Sequence, residues 1–164
     1  MALFSGHAAP DFTARTTLGR LCFHDWLDGA WGVLVTHPQD FRPGSIPALD
    51  RSVKVIALPP VTGHDDVHPI TPGLPATWAT VCDARDAAGI RDLYSGAQFD
   101  DFPAGDQTAG RVDEHVAFVI APDATIRATL SFPPGGDRDF GDVVRMLDLF
   151  GAGRAAHPAH MAAA

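Results

Sequence analysis

The chain has 164 residues, a formal net charge of −8 and 46% hydrophobic residues, enough apolar sequence for one well-buried domain but not for two. No apolar run approaches the roughly 20 residues that cross a bilayer, no basic cluster suggests nucleic-acid binding, and the first residues do not resemble a secretory signal. We therefore expect no membrane span and no nucleic-acid partner. Because the two cysteines, Cys22 and Cys82, are far apart, we also expect a cytoplasmic protein without structural disulfides.

The first half of the chain predicts a small hairpin followed by two strands of a parallel sheet. A turn at residues 17–19 leads into strand residues 20–24, and residues 25–29 predict a turn or a single helical turn. The apolar runs at residues 31–36 and 53–58 predict buried strands. Since three prolines fall in the loop between these two strands, we expect a crossover with at most one or two turns of helix.

The second half predicts a short strand, a helix, an antiparallel strand pair and a last helix. The ranges are 78–82 for the strand, 84–94 for a helix capped by Asp83, 114–120 and 125–132 for the strand pair, and 139–150 for the last helix. Residues 59–77 and 95–110 predict surface loops. We therefore expect one domain over residues 1–150 and a loosely ordered tail over residues 151–164.

This order predicts an α/β fold of the thioredoxin-like type, with a central mixed sheet flanked by helices. Several motifs also carry a resemblance to a known family. They are G-x-x-A-P-D-F-x-A at residues 6–14, F-H-D-W-L at 23–27, W-G-V-L-x-T-H-P-x-D-F at 31–41, V-K-V-I-A-L at 53–58 and F-V-I-x-P-D at 118–123. Together they resemble the peroxiredoxins (AhpC/TSA-like) of the one-cysteine class, and the resemblance extends to Phe150.

The resemblance implies a site that this chain does not keep. In the family, the loop after the strand has the form P-x-x-x-T-x-x-C; the cysteine reduces peroxide, the threonine binds it, and an arginine from a later strand holds the thiolate. In this chain the corresponding residues are Pro38, Arg42, Ser45 and His115, so only the proline is retained. Because a serine hydroxyl has no reversible oxidation chemistry, we expect classical cysteine-dependent peroxidase activity to be absent. Since the next strand begins as early as residue 53, we also expect most of the cysteine-bearing helix to be missing.

Polar residues nevertheless remain in the former peroxidase pocket. The candidate catalytic residues are Ser45, His37, His115 and Arg42, and the candidate ligand-binding residues are Pro38, Asp40 and Arg138. The two histidines could exchange protons, or supply two ligands of a metal site that needs three or four. The two arginines could bind an anion such as a carboxylate. Alternatively, the histidines form hydrogen bonds for structure alone. We expect no metal and no cofactor.

Three classes of function follow from these observations. The first is a degenerate, noncatalytic homologue that binds a protein partner or a small polar ligand, with a homodimer as one form. The second is an enzyme with new chemistry on a small polar or anionic substrate at His37, Arg42, Ser45 and His115. The third is a residual thiol oxidoreductase that uses Cys82, because a helix N-terminus can lower the pKa of a thiol. The loss of the cysteine and its activators favours the first.

Overall fold

A computed structural model describes residues 2–59, 73–95, 115–135 and 137–152. The elements are β1 (Thr13–Thr16), β2 (Gly19–Cys22), α1 (Phe23–Leu27), β3 (Trp31–Val35), β4 (Val53–Ala57), β5 (Ala79–Thr80), α2 (Ala84–Tyr94), β6 (His115–Ile120), β7 (Ile126–Phe132) and α3 (Gly141–Leu149). Most of the two predicted surface loops and all but the first two residues of the predicted tail lie outside the described residues. The domain boundary at residue 150 stays a prediction.

The sheet confirms the predicted fold class. Its five strands follow the order β5-β4-β3-β6-β7. β3 pairs with β4 in parallel and with β6 antiparallel, so that Leu34 lies opposite both Ile56 and Phe118. The outer pairs are β4 with β5, in parallel, and β6 with β7, antiparallel. The predicted hairpin is also present as the separate pair β1 and β2.

Alternation along the strands buries both faces of the sheet. On one face, Leu34 and Phe118 pack with Tyr94 of α2. On the other face, Val33 and Phe140 belong to a second apolar cluster, which also includes α3 residues. Since both sides are covered, the sheet is a rigid base for the loops that leave its edges.

Several element boundaries differ by one or more residues from those predicted, and local hydrogen bonds account for two of the differences. The second hairpin strand ends at Cys22 because the Asp11 carboxylate accepts the main-chain N–H of His24 at 2.9 Å and thereby supports the start of α1. The last helix begins at Gly141 because Asp139 accepts the N–H of that residue at 2.7 Å. The strand predicted at residues 78–82 is shorter, Ala79–Thr80.

The strand directions bring three chain segments to one edge of the sheet. β3 and β4 are parallel, so their carboxyl ends meet there, and antiparallel β6 begins at the same edge. The main-chain N–H of Thr36, directly after β3, donates to the Val116 carbonyl at 3.0 Å. The loop predicted to carry the site therefore leaves the sheet beside the first residues of β6.

Candidate functional site

The segment between β3 and β4 is a loop built from two short turns of 3₁₀-helix. These are Pro38–Asp40 and Pro43–Ser45, and each begins at a proline, whose fixed φ suits the first position of a helical turn. Residues 36–52 are all described, and none of them is α-helical. The predicted crossover with little helix is therefore confirmed.

Thr36 fixes the start of this loop. Its hydroxyl oxygen accepts the N–H of Val116 at 2.9 Å and forms a further hydrogen bond with His37 Nδ1 at 2.9 Å. Thr36 and His37 are both buried. A single hydroxyl thus ties the end of β3 to the start of β6 and orients the His37 ring.

His37 and His115 lie face to face. Their ring centroids are 3.6 Å apart and the ring planes differ by 8°. The Asp40 carboxylate accepts a hydrogen bond from His115 Nδ1, and both side chains are largely buried, at 14% exposure for His115 and 7% for Asp40. The structure therefore brings together three of the residues predicted to form the pocket.

The contact with Asp40 defines what His115 can do. Because an ionised carboxylate only accepts hydrogen bonds, this contact uses a hydrogen on Nδ1 and leaves Nε2 for another partner. Among the described residues, Nε2 of His115 makes no hydrogen bond. A buried carboxylate that orients a histidine in this way is a common arrangement for general acid–base chemistry.

Ser45 lies in the same loop but is used differently. Its hydroxyl donates to the Arg42 carbonyl at 2.7 Å and accepts the N–H of Phe140 at 3.0 Å. Within the described part of the chain, it forms no hydrogen bond with either histidine. The hydroxyl therefore closes a turn and holds the loop against the start of α3.

Replacement of Ser45 by alanine is expected to lower the free energy of unfolding by about 1 kcal/mol, because the Phe140 N–H at the N-cap of α3 loses its acceptor. Chemical denaturation monitored by circular dichroism measures the change. Ser131→Ala, the same substitution at an exposed position of β7, is the control and should change stability by less than about 0.5 kcal/mol. Equal effects of the two substitutions would contradict this role.

The side chains of the two arginines predicted to bind an anion make their observed polar contacts with groups other than the histidine pair. Arg42 is half exposed and forms an ion pair with Asp139 at 3.1 Å. The Arg138 guanidinium donates to the Pro133 carbonyl at 2.9 Å and lies 5.0 Å from the ring centre of Phe132. Their polar contacts are therefore with the segment before α3. Pro38 is buried at the start of its turn.

Main-chain hydrogen bonds fasten the segment before α3 to the loop between β3 and β4. The carbonyl of Asp40 accepts the N–H groups of Asp137 at 3.2 Å and Arg138 at 2.8 Å, and Arg42 N–H donates to the Arg138 carbonyl at 2.8 Å. Asp40 is thus held on both sides, by its carboxylate on His115 and by its carbonyl on the segment before α3. The position of the carboxylate is fixed by the fold.

One residue at this edge was missed by sequence reasoning. Arg91 of α2 donates to the carbonyls of Thr36 at 2.8 Å and Pro59 at 2.6 Å. A signal for it was present in the sequence, because Arg91 is four residues after Ala87 and three before Tyr94, both buried, and so shares the buried face of the helix. A charged residue on such a face indicates a specific partner.

The two cysteines lie outside this site. Cys22 donates to the Asp11 carboxylate at 3.3 Å, and this hydrogen bond raises the pKa of the thiol. Burial raises the pKa of Cys82, with a smaller opposing effect from Arg15. At the start of α2, the N–H groups of Arg85 and Asp86 donate to the Asp83 carboxylate and not to the Cys82 sulfur.

Both thiols are expected to react with iodoacetamide at pH 7.5 more slowly than free cysteine, because a raised pKa leaves less thiolate at that pH. Asp11→Asn should accelerate labelling of Cys22, since it removes the negative charge that raises the pKa and keeps an amide oxygen for the His24 N–H. Labelling is followed at each cysteine by mass spectrometry. Cys82 is the internal control; a rate at Cys22 that is unchanged in Asp11→Asn would refute this cause.

The described residues contain no group of three or more histidine, cysteine or acidic side chains arranged to hold a metal ion. Over the same residues, no helix combines the length and the apolar character needed to pass through a membrane.

Comparisons with known proteins agree with the motifs in the sequence. No family profile matches the chain. It is similar to mouse peroxiredoxin-6, with 29% identity over 167 residues that cover 89% of this chain and 72% of the mouse protein. Among solved structures, it is similar to a yeast mitochondrial 1-Cys peroxiredoxin (24% identity, TM-score 0.59, covering 91% of this chain and 76% of that one). It is also similar to AhpC of Mycobacterium tuberculosis (16% identity, TM-score 0.60, 92% and 99%). These structures share the fold.

Proposed function

We propose that this chain, which is similar to peroxiredoxin-6 and to a 1-Cys peroxiredoxin of known structure, is a degenerate peroxiredoxin homologue without the Cys/Thr/Arg peroxidase site, and that it acts by binding a protein partner or a small polar ligand. The observation that carries this proposal is the hydroxyl of Ser45, the residue that we align with the family cysteine. All its hydrogen bonds within the described residues are to main-chain groups, Arg42 C=O, Arg138 C=O and Phe140 N–H, and it serves the fold of the loop.

Two further observations support the loss of peroxide reduction. The chain has only two cysteines, both lie outside the loop, and the pKa of each is raised. The position that we align with the family arginine is His115, whose ring is bonded to Asp40. The loop therefore contains no thiol, and a histidine bonded to Asp40 lies at the position of the arginine that holds the thiolate in the family. Both cysteines are free, which also supports our proposal of a cytoplasmic location.

Consumption of hydrogen peroxide in the presence of dithiothreitol tests the first part of the proposal. Peroxide consumption should be no faster than in buffer alone for the wild type, for Cys22→Ser and for Cys82→Ser. Turnover by the wild type that disappears in Cys82→Ser would establish the thiol oxidoreductase alternative and refute the proposal. Ser45→Cys should not gain turnover, because the aligned threonine and arginine positions hold Arg42 and His115.

The binding part of the proposal needs a separate experiment. Light scattering of the purified protein and affinity capture from native lysate should show a homodimer or a stable complex with another protein. Native mass spectrometry should otherwise show a retained small molecule. A monomer that retains no molecule and captures no protein would refute a binding function.

A second candidate function is acid–base chemistry at the histidine pair. The observation that favours it is the hydrogen bond from His115 Nδ1 to the buried Asp40 carboxylate, which leaves Nε2 to accept or donate a proton. His37 stacks on one face of the His115 ring. Since Arg42 and Arg138 make their polar contacts elsewhere, this arrangement suits a small polar substrate better than a strongly anionic one.

Thermal-shift measurements with a series of small carboxylic acids and neutral amides test this candidate. A ligand of the site should raise the Tm of the wild type and of Arg42→Gln, but not that of His115→Gln. A ligand that stabilises His115→Gln equally binds elsewhere and counts against it. A requirement for Arg42 would instead support the anion-binding alternative.

A further inference from the structure

Arg91 joins the ends of the two central parallel strands. Its guanidinium donates to the carbonyl of Thr36, the residue after β3, and to that of Pro59, two residues after β4. The distances, 2.8 and 2.6 Å, are those of charge-assisted hydrogen bonds. Because α2 packs on the face of the sheet that contains Leu34 and Phe118, Arg91 reaches this edge from that face.

The contact with Thr36 connects Arg91 to the histidine pair. Several hydrogen bonds hold Thr36: its N–H donates to the Val116 carbonyl, its hydroxyl accepts from Val116 N–H, and its carbonyl accepts from Arg91. The same hydroxyl is bonded to His37 Nδ1. A change in the direction of the Thr36 peptide would therefore move the hydroxyl and the His37 ring together.

Charge adds to this geometry. A guanidinium remains protonated over the whole physiological pH range. Arg91 therefore places a permanent positive charge at the edge of the sheet where β3 ends and the loop with His37 begins. The cost of removing such a charge from water is met only by specific partners, and the carbonyls of Thr36 and Pro59 are two of them. An arginine in this place thus serves a defined geometry and is not interchangeable with an apolar residue.

We infer that Arg91 is a positioning residue for the His37–His115 pair, which acts by fixing the Thr36 peptide at the end of β3. The inference rests on the site proposed for acid–base chemistry, but it concerns geometry in the absence of any ligand. It can therefore fail or succeed independently of whether a substrate is found and of whether peroxide is reduced.

The test compares Arg91→Met and Arg91→Lys with Arg85→Met, a substitution at an exposed position of the same helix. Long-range ¹H–¹⁵N NMR reports the ring nitrogens of His37 and His115 in the folded protein, and hydrogen exchange reports the Val116 amide. In Arg91→Met, we expect both histidine patterns to change, His37 to lose a single-tautomer pattern, and Val116 to exchange at least about tenfold faster. Arg85→Met should match the wild type.

Thermal unfolding separates positioning from stability. If Arg91→Met lowers Tm but leaves the histidine signals and Val116 exchange unchanged, Arg91 is only structural and the inference is wrong. If Arg91→Met does not fold, Arg91→Lys decides. It keeps the charge, but its shorter side chain does not extend as far as the Nη2 atom that donates to both carbonyls, and a folded Arg91→Lys with wild-type histidine signals would overturn the inference.

Discussion

Asp40→Ala is expected to lower the free energy of unfolding by about 3 kcal/mol, because it leaves the Nδ1–H of a largely buried histidine without its charged acceptor. Asp40 is buried, so water cannot easily replace the carboxylate. Asp40→Asn should cost about half as much, since its amide oxygen can still accept the hydrogen bond from His115 without the charge. Denaturation by urea, fitted to two states, gives both values.

Asp142→Ala provides a matched control, because Asp142 forms an ion pair of 3.2 Å with Arg145 on the surface of α3, with both side chains more than half exposed. This substitution should change stability by less than about 0.5 kcal/mol. If Asp40→Ala lowers the free energy of unfolding no more than Asp142→Ala does, the carboxylate does not hold His115. The histidine pair would then be an incidental contact, and the acid–base candidate would lose its support.

The sheet and its helices could be predicted because their signals are local. The apolar runs that became β3 and β4 are continuous, and Asp83 directly precedes an amphipathic helix whose first N–H groups it caps. The prolines between the strands exclude a long helix wherever the loop is placed. Each of these features depends on residues that are neighbours in sequence, so no knowledge of the tertiary structure is needed.

The direction of individual side chains could not be predicted in this way. Ser45 was expected in the pocket with the histidines, but its hydroxyl bonds to Phe140, which is 95 residues away in the chain. The family resemblance implied that His37 and His115 share one pocket, but it gave no indication that their rings would stack. Such contacts depend on the exact packing of the loop against α3 and β6, which residue spacing does not encode.

Phe140 is the second residue whose substitution should have a large effect. Its side chain is fully buried and lies between Phe41, with ring centres 5.2 Å apart, and Trp78, also at 5.2 Å. Phe140→Ala is expected to lower the free energy of unfolding by about 3–5 kcal/mol, because it removes a large apolar group and leaves a cavity. Phe4→Ala, the same substitution at a residue that is 53% exposed, should cost much less.

Phe140 also couples this core to the site, because its N–H donates to Ser45 and Phe41 adjoins Asp40 in the loop. Phe140→Leu keeps the main-chain donor and part of the apolar volume, so it should cost less than Phe140→Ala and leave the histidine signals in NMR spectra unchanged. In Phe140→Ala, collapse around the cavity should displace Phe41 and alter the His115 signals as well. If the alanine variant is destabilised while those signals stay as in the wild type, the loop is held by its hydrogen bonds alone and not by this aromatic contact.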